Sequence, residues 1–286
     1  MPKPFCPDWA TALLNGFSQV LLQRHPLCGL CCLLAILLCA PQSLGGALLG
    51  AAIGLLTAQR CGYPREHREA GLFSYNGVLI GLLFSHWLPL NLTLPLLIMA
   101  ASGLSSLLVA RWLAVCARPT CLPAYTAPFV LTGWAGWALG WAVTPGGSTP
   151  QSFALSDALT GLGQVFLLAS PMAGALVLLG LWLANRRAAL WALAGSATGL
   201  AFAWLQGEPP LPGLYGFNVA LAALAFSAQP LRAATALVLA LLLQPGFASL
   251  PLPALTAPFI LACWLVKASA RLLHGEPALH RQRQTP

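Results

Sequence analysis

Two hexapeptides decide how this chain is read: Gly71-Leu72-Phe73-Ser74-Tyr75-Asn76 and Gly213-Leu214-Tyr215-Gly216-Phe217-Asn218. They agree in register at Gly, Leu, both aromatic positions and Asn. The likeness runs on through Leu79 and Leu221 to Phe84-Ser85 and Phe226-Ser227 at a constant offset of 142. An earlier block repeats as well. Gly16, Gln19 and Val20, followed by Pro26-Leu27-Cys28-Gly29, answer Gly161, Gln164 and Val165, followed by Pro171-Met172-Ala173-Gly174, at an offset of 145. A later block pairs Thr126-Ala127-Pro128-Phe129 with Thr256-Ala257-Pro258-Phe259 at an offset of 130, and Trp134 answers Trp264. Chance produces one such match in apolar sequence, but not three in the same order containing Gln, Asn, Thr and Pro. The chain is read as an internal duplication, residues 1–150 and 151–286, the two halves forming one membrane domain.

Composition names the solvent. Of 286 residues, 58 % are hydrophobic and 7 % charged, whereas an ordinary soluble domain is about 25 % charged. Fourteen basic and six acidic side chains cannot solvate the surface of a soluble protein of this length, and the mean hydropathy is +0.77. Collagen-like, disordered, coiled-coil and nucleic-acid-binding classes are excluded together, which leaves an all-α polytopic membrane protein. The formal net charge of +8 then reads as Lys and Arg left on cytoplasmic loops. Nine cysteines is an odd number, and most sit in apolar runs (Cys28, Cys31, Cys32, Cys39, Cys263). They read as small buried hydrophobes rather than a disulfide framework. Pro2 to Asp8 carries no basic stretch leading into a cleavable apolar segment, so insertion is expected to rely on the spans.

A helix needs about 20 apolar residues to cross a bilayer core of about 30 Å. Pro and Gly divide the apolar sequence into elements near 9–23, 27–40, 43–58, 71–86, 94–112 and 124–143, then 157–169, 171–185, 188–205, 213–228, 233–249 and 255–272. The shortest read as half-helices or re-entrant segments, and such interrupted segments are where a permeation path is sought. In the first half positive charge falls at Arg24, Arg60–Arg68 and Arg111–Arg118, with none near 41–42, 87–93 and 143–156. In the second half the matching loops reverse: none near 169–170, 206–212 and 245–251, but Arg186-Arg187, Arg232 and Lys267–Arg283 in their neighbours. By the positive-inside rule, matching loops face opposite sides, so the repeat is expected to be inverted, with both termini cytoplasmic. Each half then crosses an odd number of times, about five spans plus one tight half-helix segment, and the first element is the one expected not to cross.

Buried ionisable groups mark coupling ions or proton relays. The six acids, Asp8, Glu66, Glu69, Asp157, Glu208 and Glu276, all lie in loops or at segment edges. What lies at depth is neutral and paired: Gln19 with Gln164, Asn76 with Asn218, Thr126 with Thr256. A membrane threonine often bonds the carbonyl one turn back or a neighbouring helix. An asparagine beside glycine caps a half-helix or serves the path. A glutamine amide is costly to bury unpaired, which favours pore lining for that pair. Half-helix ends with free C=O groups, beside Tyr75, Phe217, Leu79 and Leu221, suit a small uncharged solute rich in N–H donors. No His, Cys or acid constellation offers a catalytic or metal site, so no enzyme, metal or cofactor is expected.

At these blocks the sequence resembles the urea transporter family, whose GL[WFY]G[FY]N motif occurs twice, with Gln-Val, a Pro-x-x-Gly turn and Thr-x-Pro-Phe in both halves. The resemblance spans roughly residues 10–272, and the length is that of bacterial members. It implies a homotrimer in a bacterial inner membrane, each protomer holding its own channel for passive, ion-uncoupled urea flow. Carried over by position, Gln19 and Gln164 would bind urea at the two mouths, beside Tyr75 with Leu79 and Phe217 with Leu221 as slot walls. Val20, Val165, Thr126 and Thr256 would line the centre. Asn76, Asn218, Pro128 and Pro258 belong to the structural motif. Leu22 and Leu167 occupy slot positions that are commonly Phe in the family, and Ser74 stands where the motif usually has Gly. Alternatives are the same architecture selecting a urea-like amide or ammonia, or an ion-coupled carrier of a small neutral solute.

Overall fold

The computed structural model describes residues 8–116, 121–141, 154–206 and 214–273. Among them there are α-helices and no strand. The first half holds α1 (Asp8–Gln19), α2 (Pro26–Cys39), α3 (Pro41–Arg60), the short α4 (Arg65–Glu69), α5 (Tyr75–Trp87), α6 (Thr93–Val115) and α7 (Ala127–Ala138). The second holds α8 (Asp157–Gly163), running into a 3-10 turn at Gln164–Phe166, then α9 (Pro171–Ala184), α10 (Arg186–Leu205), α11 (Gly216–Ala225), α12 (Pro230–Ala248) and α13 (Ala257–Leu273). The stretch answering α4, which includes Gly213 of the motif and Glu208, lies outside the described residues, as does Glu276.

Matching boundaries are made by different local chemistry. Proline opens α2, α3, α9 and α12, where its missing N–H costs nothing. A single residue, Ala40, separates α2 from α3, because the residue before Pro41 disfavours the helical region. A single residue, Asn185, separates α9 from α10. No proline follows it, and instead its side chain accepts from the Ala188 N–H at 3.2 Å, an N-cap. The expected elements start later than their apolar runs where the motif turns: residues 71–74 form a turn and α5 starts at Tyr75.

Four helices are long and apolar enough to cross a membrane unaided: α3, α6, α10 and residues Pro230–Phe247 of α12. The α8 segment Asp157–Phe166 and α9, bent by 75°, make a fifth candidate if the pair is one span. By contrast α1 has 12 residues and α11 has 10, about 18 and 15 Å at 1.5 Å per residue. The exterior is leucine-rich, with Leu38, Leu96, Leu104, Leu190, Leu242 and Leu265 exposed, while Ser102, Ser105, Ser106, Ser196, Asn76 and Asn218 are buried. Apolar outside and small or polar inside is the polarity of a protein solvated by lipid. The chain is a polytopic membrane protein.

Helices within each half approach until backbone meets backbone. A Cβ on Gly29 of α2 would lie 1.9 Å from the Leu14 carbonyl oxygen of α1, and one on Gly174 of α9 would lie 1.7 Å from the Leu159 oxygen of α8. Across the halves, α2 packs on α9, with Gly180 set against Cys28 and Cys31. Cys28, Cys31, Cys32 and Cys263 are buried, as the apolar runs imply, whereas Cys61 is exposed. Cys116 and Cys121, outside the apolar runs, form one local disulfide.

Gly29→Ala and Gly174→Ala each push a methyl group into a carbonyl that cannot retreat. Each is expected to destabilise the protein by about 1–3 kcal/mol or more, read as a lower unfolding temperature in detergent. Gly45, on α3, has open space around its Cα. Gly45→Ala is expected to be neutral or stabilising by about 0.5–1 kcal/mol.

Candidate permeation site

The two halves meet at a pair of hydroxyls. Thr126 Oγ1 and Thr256 Oγ1 share a hydrogen bond of 2.7 Å, and the two residues are 3 % and 4 % exposed. Neither takes the carbonyl one turn back. Each immediately precedes a helix, α7 or α13, whose first N–H groups have no partner within the helix. In both halves these donors are satisfied in the same way. The Ala127 N–H goes to the Ala124 carbonyl and the Ala257 N–H to the Ala254 carbonyl, both at 3.0 Å. Pro128 and Pro258 have no N–H. Phe129 donates to Asn76 Oδ1 at 3.2 Å and Phe259 to Asn218 Oδ1 at 3.3 Å. Asn76 and Asn218 therefore cap the helix packed against them rather than their own, which joins each aromatic-Asn motif to its Thr-Ala-Pro-Phe block.

The residues before these threonines are strained. Tyr125 and Leu255 both have φ of 43°, a left-handed conformation that costs a residue with Cβ about 1–2 kcal/mol. Their carbonyls are held by different donors. The Tyr75 hydroxyl donates to the Tyr125 oxygen. Phe217 stands in the place of Tyr75 and has no hydroxyl, so Asn218 Nδ2 bonds the Leu255 oxygen at 3.0 Å. Buried Gln244 adds an acceptor to the same Asn218 nitrogen at 3.2 Å. The matching Asn76 Nδ2 is buried without a protein partner.

The other sequence block ends on the same kind of turn. Gln19 closes α1 and Gln164 follows α8, both half-buried. Their carbonyls accept from Leu22 and Leu167 at 2.9 Å, and those leucines have φ of 56° and 59°. Among the described residues, Leu22, Tyr125, Leu167 and Leu255 are the non-glycine residues with positive φ, and they fall in two pairs at the repeat offsets. The same strained conformation thus recurs at matching positions of the two halves.

A clasp outside the threonines is also reciprocal. Trp134 Nε1 donates to the Pro253 oxygen at 2.9 Å and Trp264 Nε1 to the Pro123 oxygen at 2.8 Å. Trp264 stacks on Trp112 with centroids 5.9 Å apart, and Trp112 Nε1 holds the Leu122 oxygen at 2.7 Å. Arg271 holds the Cys121 oxygen at 2.9 Å. The segment leading into Thr126 is thus gripped at three successive carbonyls.

Val20, Tyr75, Leu79, Val165, Phe217 and Leu221 are buried in one continuous apolar cluster drawn from both halves, with Leu22 and Leu167 packed against it. The structure thus joins Tyr75, Asn76, Thr126, Asn218 and Thr256 by direct hydrogen bonds or through one intervening residue, and sets the valines and slot-wall residues in the surrounding core. Tyr75, Asn76, Thr126, Asn218 and Thr256 are all uncharged, while Arg271 reaches across between the halves farther out, at Cys121. Tyr125, Leu255 and Gln244 were not legible as site residues. Gln244, an amide in an apolar run before Pro245, was the one with a usable signal.

A family model described as urea transporter matches residues 10–271. Urea transporter 1 of Capra hircus and urea transporter 1 of Ovis aries are each 29 % identical to the chain over 92 % of its length and 77 % of theirs. Urea transporter 1 of Mus musculus is 29 % identical over 78 % of the chain and 64 % of its own length. With its paired motifs meeting at a neutral, hydroxyl-bonded seam and this family matched over most of its length, the chain belongs to the urea transporter family.

Proposed function

We propose that the protein carries urea across the membrane by passive, ion-uncoupled diffusion along the seam between its halves. The observation that carries this reading is the buried Thr126–Thr256 pair, set among apolar walls and flanked by strained turns, with no charge in the set. Urea is neutral and planar, and its N–H donors suit a run of hydroxyl, amide and carbonyl acceptors. An ion would have to leave its water without a compensating charge. Gln19 and Gln164 receive urea at the two mouths. Tyr75 with Leu79 and Phe217 with Leu221 form slot walls, and Val20, Val165, Thr126 and Thr256 line the centre. Asn76, Asn218, Pro128 and Pro258 build the half-helix ends. Leu22 and Leu167 leave one wall of each slot aliphatic, which favours a second reading in which a urea-like amide or ammonia is also carried.

The halves are read as inverted, each with about five spans and one tight half-helix segment. Alternating loop charge supports this, and the clasp, which maps onto itself when the halves are exchanged, supports a two-fold relation between them. Assembly as a homotrimer with one path per protomer, a bacterial inner-membrane location and cytoplasmic termini belong to the same reading.

Reconstituted in proteoliposomes, the protein is expected to give saturable urea flux by stopped-flow light scattering, unchanged by sodium or proton gradients. A gradient-dependent rate contradicts it. Gln19→Leu and Gln164→Leu should each lower that flux about tenfold, the factor that about 1.4 kcal/mol provides. Unchanged flux in both removes the mouth assignment. Inversion is tested at Cys61 and Gln206, which occupy matching exposed positions. A membrane-impermeant maleimide should label Cys61, and a Gln206→Cys variant in a Cys61→Ser background, from opposite faces. Labelling from one face overturns the inversion.

A further inference from the structure

The two halves hold their central turns by different means, and the difference centres on one residue of α12. Gln244 is 8 % exposed in a helix long and apolar enough to span, where an amide is costly to leave unpaired. Both ends of its amide are used. Nε2 donates to the Leu214 carbonyl oxygen at 3.3 Å, and Oε1 accepts from Asn218 Nδ2 at 3.2 Å. The orientation is fixed, because a carbonyl oxygen can only accept and so takes the NH2 end of the amide. Gln244 therefore ties Leu214 of the repeated motif to its Asn218.

Asn218 passes this tie on to the seam. The same Nδ2 donates to the Leu255 oxygen at 3.0 Å, and Oδ1 accepts from the Phe259 N–H at 3.3 Å. Turning the Asn218 amide over would set Oδ1 against two oxygens and Nδ2 against an N–H. Gln244 thus helps hold it in the one orientation that serves both contacts. Leu255 has φ of 43°, a conformation disfavoured for a residue with Cβ, and Thr256 follows it directly. The first half is built otherwise. There the Tyr75 hydroxyl holds the Tyr125 oxygen, and Asn76 Nδ2 has no protein partner. Helix α6 packs against α5 as α12 packs against α11, but its buried polar residues are Ser102, Ser105 and Ser106. The first two hydroxyls have no partner, and that of Ser106 donates to the Gly54 carbonyl at 3.1 Å. We propose that Gln244 is a positioning residue for the path. Through Asn218 it fixes the Leu255–Thr256 turn, and so sets how sharply the centre separates urea from a bulkier amide. The inference rests on the urea path proposed above.

The test is the ratio of urea to methylurea flux through the full chain in proteoliposomes. A ratio does not depend on how many copies are folded, so a merely structural role leaves it unchanged. Gln244→Met keeps the length of the side chain and removes both hydrogen bonds. It should lower the ratio at least threefold. Gln244→Asn keeps an amide too short to reach both partners and should lower it at least twofold, which keeps the test in force if the methionine variant fails to fold. Ser106→Ala removes a buried hydrogen bond away from the threonines. It should lower the unfolding temperature in detergent and change the ratio by less than 1.5-fold, on the order of measurement scatter. An unchanged ratio in the Gln244 variants overturns the proposal, as does an equal fall in Ser106→Ala. Either result, with saturable urea flux in the unmodified protein, leaves the urea path standing. Absence of that flux in the unmodified protein overturns the path and the positioning role together.

Discussion

A hydroxyl buried in an apolar interior must find a partner, and Thr126 and Thr256 find each other. That one bond sets much of the architecture. Each threonine heads a helix, so pairing the hydroxyls brings two helix starts to the same place from different halves of the chain. The ends of α7 and α13 then need donors satisfied without water. This explains why proline, which lacks an N–H, stands second in each helix, and why an asparagine some forty or fifty residues upstream reaches in for the third N–H. Leaving any of these groups unpaired would cost about 1–3 kcal/mol, a large share of a marginal stability. The tryptophan clasp repeats the logic one layer out, each half lending an indole N–H to a proline carbonyl of the other.

Duplication supplied the frame, but the halves are no longer copies. Tyr75 became the carbonyl-holding donor in one half, while Phe217, Asn218 and Gln244 divide that task in the other. The consequence is a fully engaged amide nitrogen at Asn218 and a buried, unpartnered one at Asn76. Strain is shared between the halves more closely than chemistry. Leu22 matches Leu167, and Tyr125 matches Leu255, in φ to within a few degrees, although left-handed backbone suits neither leucine nor tyrosine.

Most of the architecture was legible because residues recur. Gln19 and Gln164, Asn76 and Asn218, and Thr126 and Thr256 are expensive to place in lipid, so a second copy at a fixed offset carried the inference. Helix ends marked by Pro26, Pro41, Pro171 and Pro230 were legible for the same local reason in each case. What stayed hidden is what depends on backbone conformation or on contacts across the halves. Nothing in the letters at 125 and 255 announces a positive φ, and the partner of a tryptophan 119 residues from its acceptor is a property of the fold. The start of α5 at Tyr75 rather than Gly71 was hidden because hydropathy does not register a tight turn made of apolar residues.

The exterior and the seam answer opposite demands. Leucine faces lipid, where it needs no partner, and the paired polar groups at depth are turned inward, where neighbours or a passing solute supply one. The central claim is that this neutral seam selects urea. Its most direct test is the flux of urea, acetamide, methylurea and ammonia through one reconstituted preparation. Urea should pass fastest and saturate, with the methylated and carbon-substituted analogues slowed by the slot walls. Ammonia or acetamide passing faster than urea would contradict the account.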